Sequence, residues 1–130
     1  MQARAMKFPE RRHSMLRRYA AALFALCLAA VVYLSLVPGD MSPAGGLGLD
    51  KLQHAFAYFV LTGLGLMAVG RRLWLLLLIA GLGAGMEIAQ AIMPHGRQGD
   101  LIDLAANLSG QALAWGGWTL WRARRSGSRR

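Results

Sequence analysis

The sequence has 130 residues, of which 55% are hydrophobic and 8% aromatic, and it contains 16 glycines. A chain of this length forms one domain at most, and it is too small to cover four long apolar helices with polar faces, which argues against a water-soluble globule. The formal net charge of +9 comes from basic residues that flank the apolar stretches instead of forming a face interleaved with aromatic side chains, which argues against nucleic-acid binding.

The first predicted element is a transmembrane helix at about residues 19–37, which follows a basic N-terminal tail at residues 1–18. The alternative is a secretory signal peptide, but the apolar stretch is longer than the usual 7 to about 15 residues and lacks a small-residue cleavage site. The helix contains Cys27, the single cysteine, so an internal disulfide is impossible. We therefore expect a retained helix.

A second transmembrane helix is predicted at about residues 51–69, after a loop that contains prolines and glycines. Asp50 stands where a carboxylate would cap the start of this helix. Asp50, His54 and Tyr58 are spaced by one helical turn each, which places them on one face. Lys51 lies beside them at the start of the helix.

The third predicted helix covers about residues 73–93 and follows the basic pair Arg71 and Arg72. It is apolar apart from Glu87 and Gln90, which share one face. Small residues in helices 2 and 3 are expected to allow close contact between helices. They are Gly63, Gly65, Gly81, Gly83, Ala84 and Gly85.

The fourth predicted helix covers about residues 100–121, and a basic tail at residues 122–130 follows it. Asp100, Asp103, Asn107 and Gly110 recur at helical spacing and therefore fall on one face. Among the residues on these helix faces, we expect structural roles for Asp50, Asp100 and Gly110.

The basic residues predict the orientation of this all-α bundle of four transmembrane helices. Of the 15 lysines and arginines, all except Lys51 and Arg97 lie in the two tails or in the turn between helices 2 and 3. The positive-inside rule assigns these segments to the cytoplasm, so both termini are expected there. Five of the six acidic residues fall in the outward half instead; they are Asp40, Asp50, Glu87, Asp100 and Asp103.

The polar residues of helices 2, 3 and 4 are predicted to converge beneath the outer surface. At about 1.5 Å per residue, His54, Glu87 and Asp103 all fall within roughly 10 Å of the outer boundary. An ionisable group that faces lipid is costly, so these faces must turn towards the inside of the bundle. We therefore expect a polar cavity that opens outward.

Two segments, DKLQHAFAYFVLTGLG and EIAQAIMPHGRQGDLIDLAANLSG, resemble the VanZ-like family of small bacterial membrane proteins over about residues 50–110. The matching positions are Asp50, Lys51, His54, Tyr58, Glu87, Gln90, Arg97, Asp103, Asn107 and Gly110. The sequence departs from the family pattern at Gln111, where a small apolar residue is expected, and at His95. The resemblance implies a multi-pass protein of the bacterial cytoplasmic membrane. The family is named for a protein associated with resistance to the glycopeptide teicoplanin.

The convergent polar residues favour recognition, with or without modification, of an envelope-associated or lipid-linked anionic substrate. In this interpretation the catalytic acid/base groups are His54, Glu87 and Asp103, because partial burial moves carboxylate pKa values towards neutrality. The expected partners are membrane lipid and a lipid-linked envelope precursor or a glycopeptide. The sequence does not identify a cofactor.

The remaining polar residues are expected to bind that substrate. Lys51 and Arg97 would hold an anionic headgroup, Arg97 through a bidentate fork. Tyr58, Gln90 and Asn107 would orient it.

Three alternatives stay open. The polar residues could form a purely structural network in a non-catalytic accessory protein, although such contacts contribute only about 0.6 kcal/mol each in membranes. His54, Glu87 and Asp103 could bind a metal ion, although no local ligand motif is present. An ion path is disfavoured, because the cytoplasmic halves of the helices are apolar.

Overall fold

A computed structural model describes residues 9–37, 49–93 and 99–128 of the chain. These residues form four α-helices and no β-strand, which confirms the all-α prediction. The helices are α1 (Pro9–Leu36), α2 (Asp50–Val69), α3 (Leu73–Ile92) and α4 (Leu101–Gly127).

Helices α1 and α4 extend into the basic segments that were expected to be separate tails. Helix α1 begins at Pro9, and proline suits the first helical position because the N–H that it lacks would have no helical partner there. Helix α4 continues to Gly127. Both extensions are rich in arginine, which is a strong helix former. A change from apolar to basic residues along the sequence therefore does not end a helix.

Three of the described helices are long and apolar enough to cross a membrane, over His13–Leu36, Asp50–Val69 and Leu73–Ile92. Helix α4 is the exception, although its 27 residues are more than long enough. Its buried face carries Asp103, Asn107 and Gln111, which lower its hydropathy.

The helices expose apolar side chains and bury polar ones. Exposed residues include Leu26, Tyr33, Leu77, Ile92 and Leu101, while the buried polar residues are Ser35, Thr62, Glu87, Gln90, Asp103, Asn107 and Gln111. Water-soluble proteins bury charged residues only rarely. This distribution therefore suits a bundle surrounded by lipid.

Helix α2 packs against both α1 and α4. It comes very close to α4 at Gly110, where an added β-carbon would collide with the carbonyl oxygen of Ala55 and lie 3.0 Å from the amide nitrogen of Phe59. Because both neighbours are backbone atoms, they cannot move aside as a flexible side chain would. Only glycine allows the two helices to approach so closely.

The glycines of α2 and α3 contribute less to packing than expected. Gly83 faces Tyr58, and Gly65 faces Leu75, so these two lie against neighbouring helices. An added β-carbon at Gly63, Gly81 or Gly85 would meet no atom within 4 Å. The expected contact role is wrong for those three glycines.

A tight turn connects α2 to α3. Gly70 has a φ of 78°, in the left-handed region that favours glycine, and its N–H donates to the carbonyl of Leu66 at 2.9 Å. The turn places Arg71 and Arg72 at one end of the bundle.

Candidate functional site

Polar side chains from α2, α3 and α4 meet at the end of the bundle opposite the Gly70 turn. We call these residues the polar cluster: Asp50, Lys51, His54, Tyr58, Glu87, Gln90, Asp100, Asp103 and Asn107. Helical spacing predicts this convergence, and the structure brings the residues together. Arg97, which was expected to join them, lies outside the described residues.

Lys51 is surrounded by carboxylates. Its Nζ lies 3.2 Å from Oδ2 of Asp50 and 2.7 Å from Oδ2 of Asp100, and it also donates to Oδ1 of Asp103. An ammonium group has three N–H donors, so these carboxylates use all of them. In this arrangement no donor of Lys51 is directed at an anionic ligand.

Asp100 joins α3 to α4. Its carboxylate caps α4 by accepting a hydrogen bond from the amide of Ile102 at 2.8 Å, and its own N–H donates to Oε2 of Glu87 at 2.9 Å. Lys51 and the Ile102 amide both stabilise the ionised form, so they lower the pKa of the Asp100 carboxyl below its usual value.

Asp50 does not cap α2. The helix begins at Asp50 itself, and Leu49 occupies the capping position without a side-chain hydrogen bond. The expected capping role is therefore wrong. Asp50 instead places its carboxylate in the first turn, where it complements the helix dipole and pairs with Lys51.

His54 has a fixed orientation within the cluster. Its Nδ1 lies 3.1 Å from Oδ1 of Asn107, and its Nε2 lies 3.9 Å from Oδ2 of Asp103. An amide oxygen only accepts, so Nδ1 is the donor and Nε2 of the neutral ring keeps its lone pair. The result is an oriented base beside a carboxylate, an arrangement suited to proton transfer.

Two buried polar atoms of the cluster have no hydrogen-bond partner within the described part of the chain. They are Oη of Tyr58, which is 2% exposed, and Oε1 of Glu87, which is 7% exposed. An unpaired buried polar atom costs about 1–3 kcal/mol. A water or a ligand group that reached these atoms would recover that energy.

A cavity of about 60 Å³ lies between α1 and α2 beside the cluster. It is lined by Val31, Leu34, Ser35, Asp50, Gln53, His54, Ala57 and Tyr58. The volume is enough for a few waters or one small polar group. A cavity was expected among helices 2, 3 and 4, whereas this one lies on the α1 side of α2.

Two glutamines connect helices. Nε2 of Gln90 donates to the backbone carbonyl of Ser35 at 2.9 Å, so it joins α3 to α1. Nε2 of Gln111 is buried and donates to the carbonyl of Leu76 at 2.7 Å, which joins α4 to α3. Gln111 lies one turn after Asn107, so extending the polar face by one turn would have identified this buried position from the sequence.

The charge of the cluster is negative among the described residues. Three carboxylates, those of Asp50, Asp100 and Asp103, contact the ammonium of Lys51, and a fourth, that of Glu87, accepts a hydrogen bond from the amide of Asp100. This excess favours a cationic or hydrogen-bonding group over an anion at the site.

The described side chains do not form a three-ligand metal site. Across residues 9–37, 49–93 and 99–128, no three His, Cys, Asp or Glu side chains are grouped so that they could hold a metal ion. The alternative that His54, Glu87 and Asp103 share a metal is therefore not supported.

Comparisons with protein-family models, with curated proteins and with solved structures found no match to this chain.

Proposed function

We propose that the chain is a VanZ-like protein of the bacterial cytoplasmic membrane that binds the polar part of an envelope-associated or lipid-linked molecule at the polar cluster. The observation that carries the proposal is the pair of unpaired buried atoms, Oη of Tyr58 and Oε1 of Glu87. Tyr58 also lines the cavity, together with His54. A ligand group that enters this cavity would lie beside the side chains of Tyr58 and His54, and Glu87 is close to Tyr58.

In this proposal α4 is a fourth transmembrane helix, both termini are cytoplasmic and the polar cluster faces outward. The segregation of basic residues supports the orientation. Asp103, Asn107 and Gln111 of α4 are buried, while its exposed face carries Leu101, Ile102, Leu108, Leu113 and Leu120. Such a helix can cross lipid once its polar face is covered by other helices.

The proposed ligand group beside His54 is neutral or cationic. Lys51 is already paired with carboxylates, so an anionic part of the same molecule would depend on Arg97. If a reaction occurs, Nε2 of His54 accepts a proton from a hydroxyl or water, and Asp103 stabilises the imidazolium that forms.

A second candidate is a non-catalytic accessory protein in which the cluster only holds the helices in register or docks a partner. The specific observation in its favour is that most of the polar groups are satisfied internally. Lys51 has three carboxylates, His54 has Asn107, and Gln90 has the carbonyl of Ser35.

Native mass spectrometry in mild detergent tests the first candidate against the second. We expect wild type to retain an adduct that Glu87→Gln loses while it remains folded. Gln111→Leu is the matched control, because it removes a buried interhelical hydrogen bond away from the cavity and should lower the melting temperature without releasing the adduct. If wild type carries no adduct and Glu87→Gln is merely less stable, the accessory role is favoured.

The family resemblance extends the proposal to teicoplanin resistance. Expression of the chain in a sensitive host should then raise the inhibitory concentration of teicoplanin, and Glu87→Gln expressed at equal abundance should not. Equal protection by the two proteins would show that resistance does not depend on the polar cluster.

A further inference from the structure

A larger and more open space lies at the opposite end of the bundle, near the Gly70 turn. It is an open groove of about 750 Å³, and we call it the arginine groove. Its lining residues are Arg71, Thr119, Trp121, Arg122, Ala123, Arg125 and Ser126. The groove is wide and open, and its arginines are exposed. Arg71 comes from the turn before α3 and the other residues from the end of α4, so the groove depends on the tertiary fold.

Two of the three guanidinium groups are held against aromatic rings. Cζ of Arg71 lies 4.6 Å from the ring centroid of Trp115, and Cζ of Arg125 lies 4.2 Å from that of Trp121. Trp121 in turn packs against Trp118, with centroids 5.3 Å apart. Stacking on an indole face restrains a guanidinium group and leaves the N–H groups at its edge available. The arginines are therefore partly ordered for binding.

The positive charge of this groove has no counter-charge within the described part of the chain. The ion pairs of the described residues all lie in the polar cluster, at the other end of the bundle. The hydroxyls of Thr119 and Ser126 donate to the backbone carbonyls of Gly116 and Ala123, so their protons are already used. The groove consequently presents three cations without an anion.

We propose that the arginine groove binds a phosphate group. Arginine matches phosphate through parallel N–H···O bonds, and three guanidinium groups around one space suit a tetrahedral anion with several charged oxygens. The groove is larger than a phosphate ion, so the rest of a headgroup also fits. Phosphate could come from an anionic phospholipid or from a soluble phosphorylated compound. This proposal does not depend on the one made for the polar cluster.

Binding measurements on the purified full-length chain in detergent test the proposal. The probes are inorganic phosphate and a water-soluble short-chain phosphatidic acid, and binding is followed by calorimetry. We expect Arg71→Gln and Arg125→Gln each to weaken binding about tenfold, the effect of losing one charge-assisted hydrogen bond. The matched controls are Arg72→Gln and Arg124→Gln, which remove the same charge from adjacent positions outside the groove and should leave affinity nearly unchanged.

The two probes distinguish the sources of phosphate. Tight binding of phosphatidic acid that inorganic phosphate does not displace supports a lipid headgroup, whereas displacement by phosphate supports a soluble compound. Equal weakening by groove and control variants would show general charge attraction and overturn the proposal, as would absence of binding by wild type. Arg71→Gln or Arg125→Gln could unfold the protein by removing the contact with a tryptophan ring. In that case Arg122→Gln is measured in place of the unfolded variant, since no ring contact of Arg122 is found in the described residues.

Discussion

Lys51 supplies the only positive charge that the described part of the polar cluster contains apart from a protonated His54. We expect Lys51→Met to destabilise the protein, because repulsion among the remaining carboxylates is no longer offset. Its side chain is 39% exposed, so the expected cost is about 1–2 kcal/mol, between the values for exposed and buried ion pairs. Thermal unfolding in detergent measures it. A melting temperature equal to that of wild type would contradict the electrostatic account.

Tyr58 offers a second test at the scale of one residue. Tyr58→Phe removes a buried hydroxyl that has no described partner, so we expect unchanged or higher stability, by up to about 1 kcal/mol. The same variant should lose any adduct that wild type retains in native mass spectrometry. A marked fall in melting temperature would mean that the hydroxyl has a structural partner.

The choice of partner for each side chain could not be predicted from the sequence. Helical periodicity indicated that Lys51 and Gln90 lie at the same end of the bundle, and this was correct. It could not indicate that Lys51 pairs with carboxylates or that Gln90 donates to a carbonyl of α1. Those pairings depend on how each helix is rotated about its axis and how closely it approaches its neighbours, which packing determines.

At the scale of the helices, the contact between α2 and α4 depends on Gly110. We expect Gly110→Ala to cost about 1–3 kcal/mol or more, because the added methyl group meets backbone atoms of α2. Gly117→Ala is the matched control: it lies in the same helix, faces open space, and should stabilise the protein by up to about 1 kcal/mol through helix propensity. The measurement is the melting temperature of each variant. If the contact is as described, it falls for Gly110→Ala and rises for Gly117→Ala.

The start of α4 should respond to pH through Asp100. The pKa of the Asp100 carboxyl is lower in the folded protein than in the unfolded chain, where it is about 3.9. The ionised carboxylate therefore stabilises the fold fully above the unfolded pKa, and this stabilisation is lost as the pH falls through the folded pKa. Asp100→Asn keeps a good capping residue but cannot ionise. We expect the stability difference between wild type and this variant to shrink below about pH 4. A difference that is constant with pH would exclude the charge as its cause.

The helices themselves were largely predictable, and the cavity was not. The predicted and observed bounds of α2 and α3 nearly coincide. Gly70 directly follows the end of α2, and Pro94 follows the end of α3, so the sequence marks both ends. The cavity lies between α1 and α2, although α1 supplied none of the polar residues from which it was predicted. The close backbone contact of Gly110 with α2 could not be assigned from the sequence either. A glycine in a polar face indicates that neighbours can approach, but it does not indicate which neighbour does so.

For the whole molecule, the proposed topology places both ends of the chain on the cytoplasmic side. In a Cys27→Ser background, single cysteines at Ser14 and Ser128 should resist a membrane-impermeant thiol reagent in intact cells and react after lysis. Labelling of the Ser128 position alone in intact cells would show that α4 does not cross the membrane. Both positions are exposed, so access by the reagent is not limited by burial.

The buried polar residues of α4 also bear on biogenesis. On the proposed topology, Asp103, Asn107 and Gln111 make this segment a poor substrate for insertion by itself, whereas α1, α2 and α3 are apolar enough to partition independently. The partners that satisfy these residues, such as Lys51 and the carbonyl of Leu76, belong to helices synthesised earlier. We therefore expect the ribosome to deliver α4 last into a site that its predecessors have already prepared, and its integration to fail when α2 is scrambled.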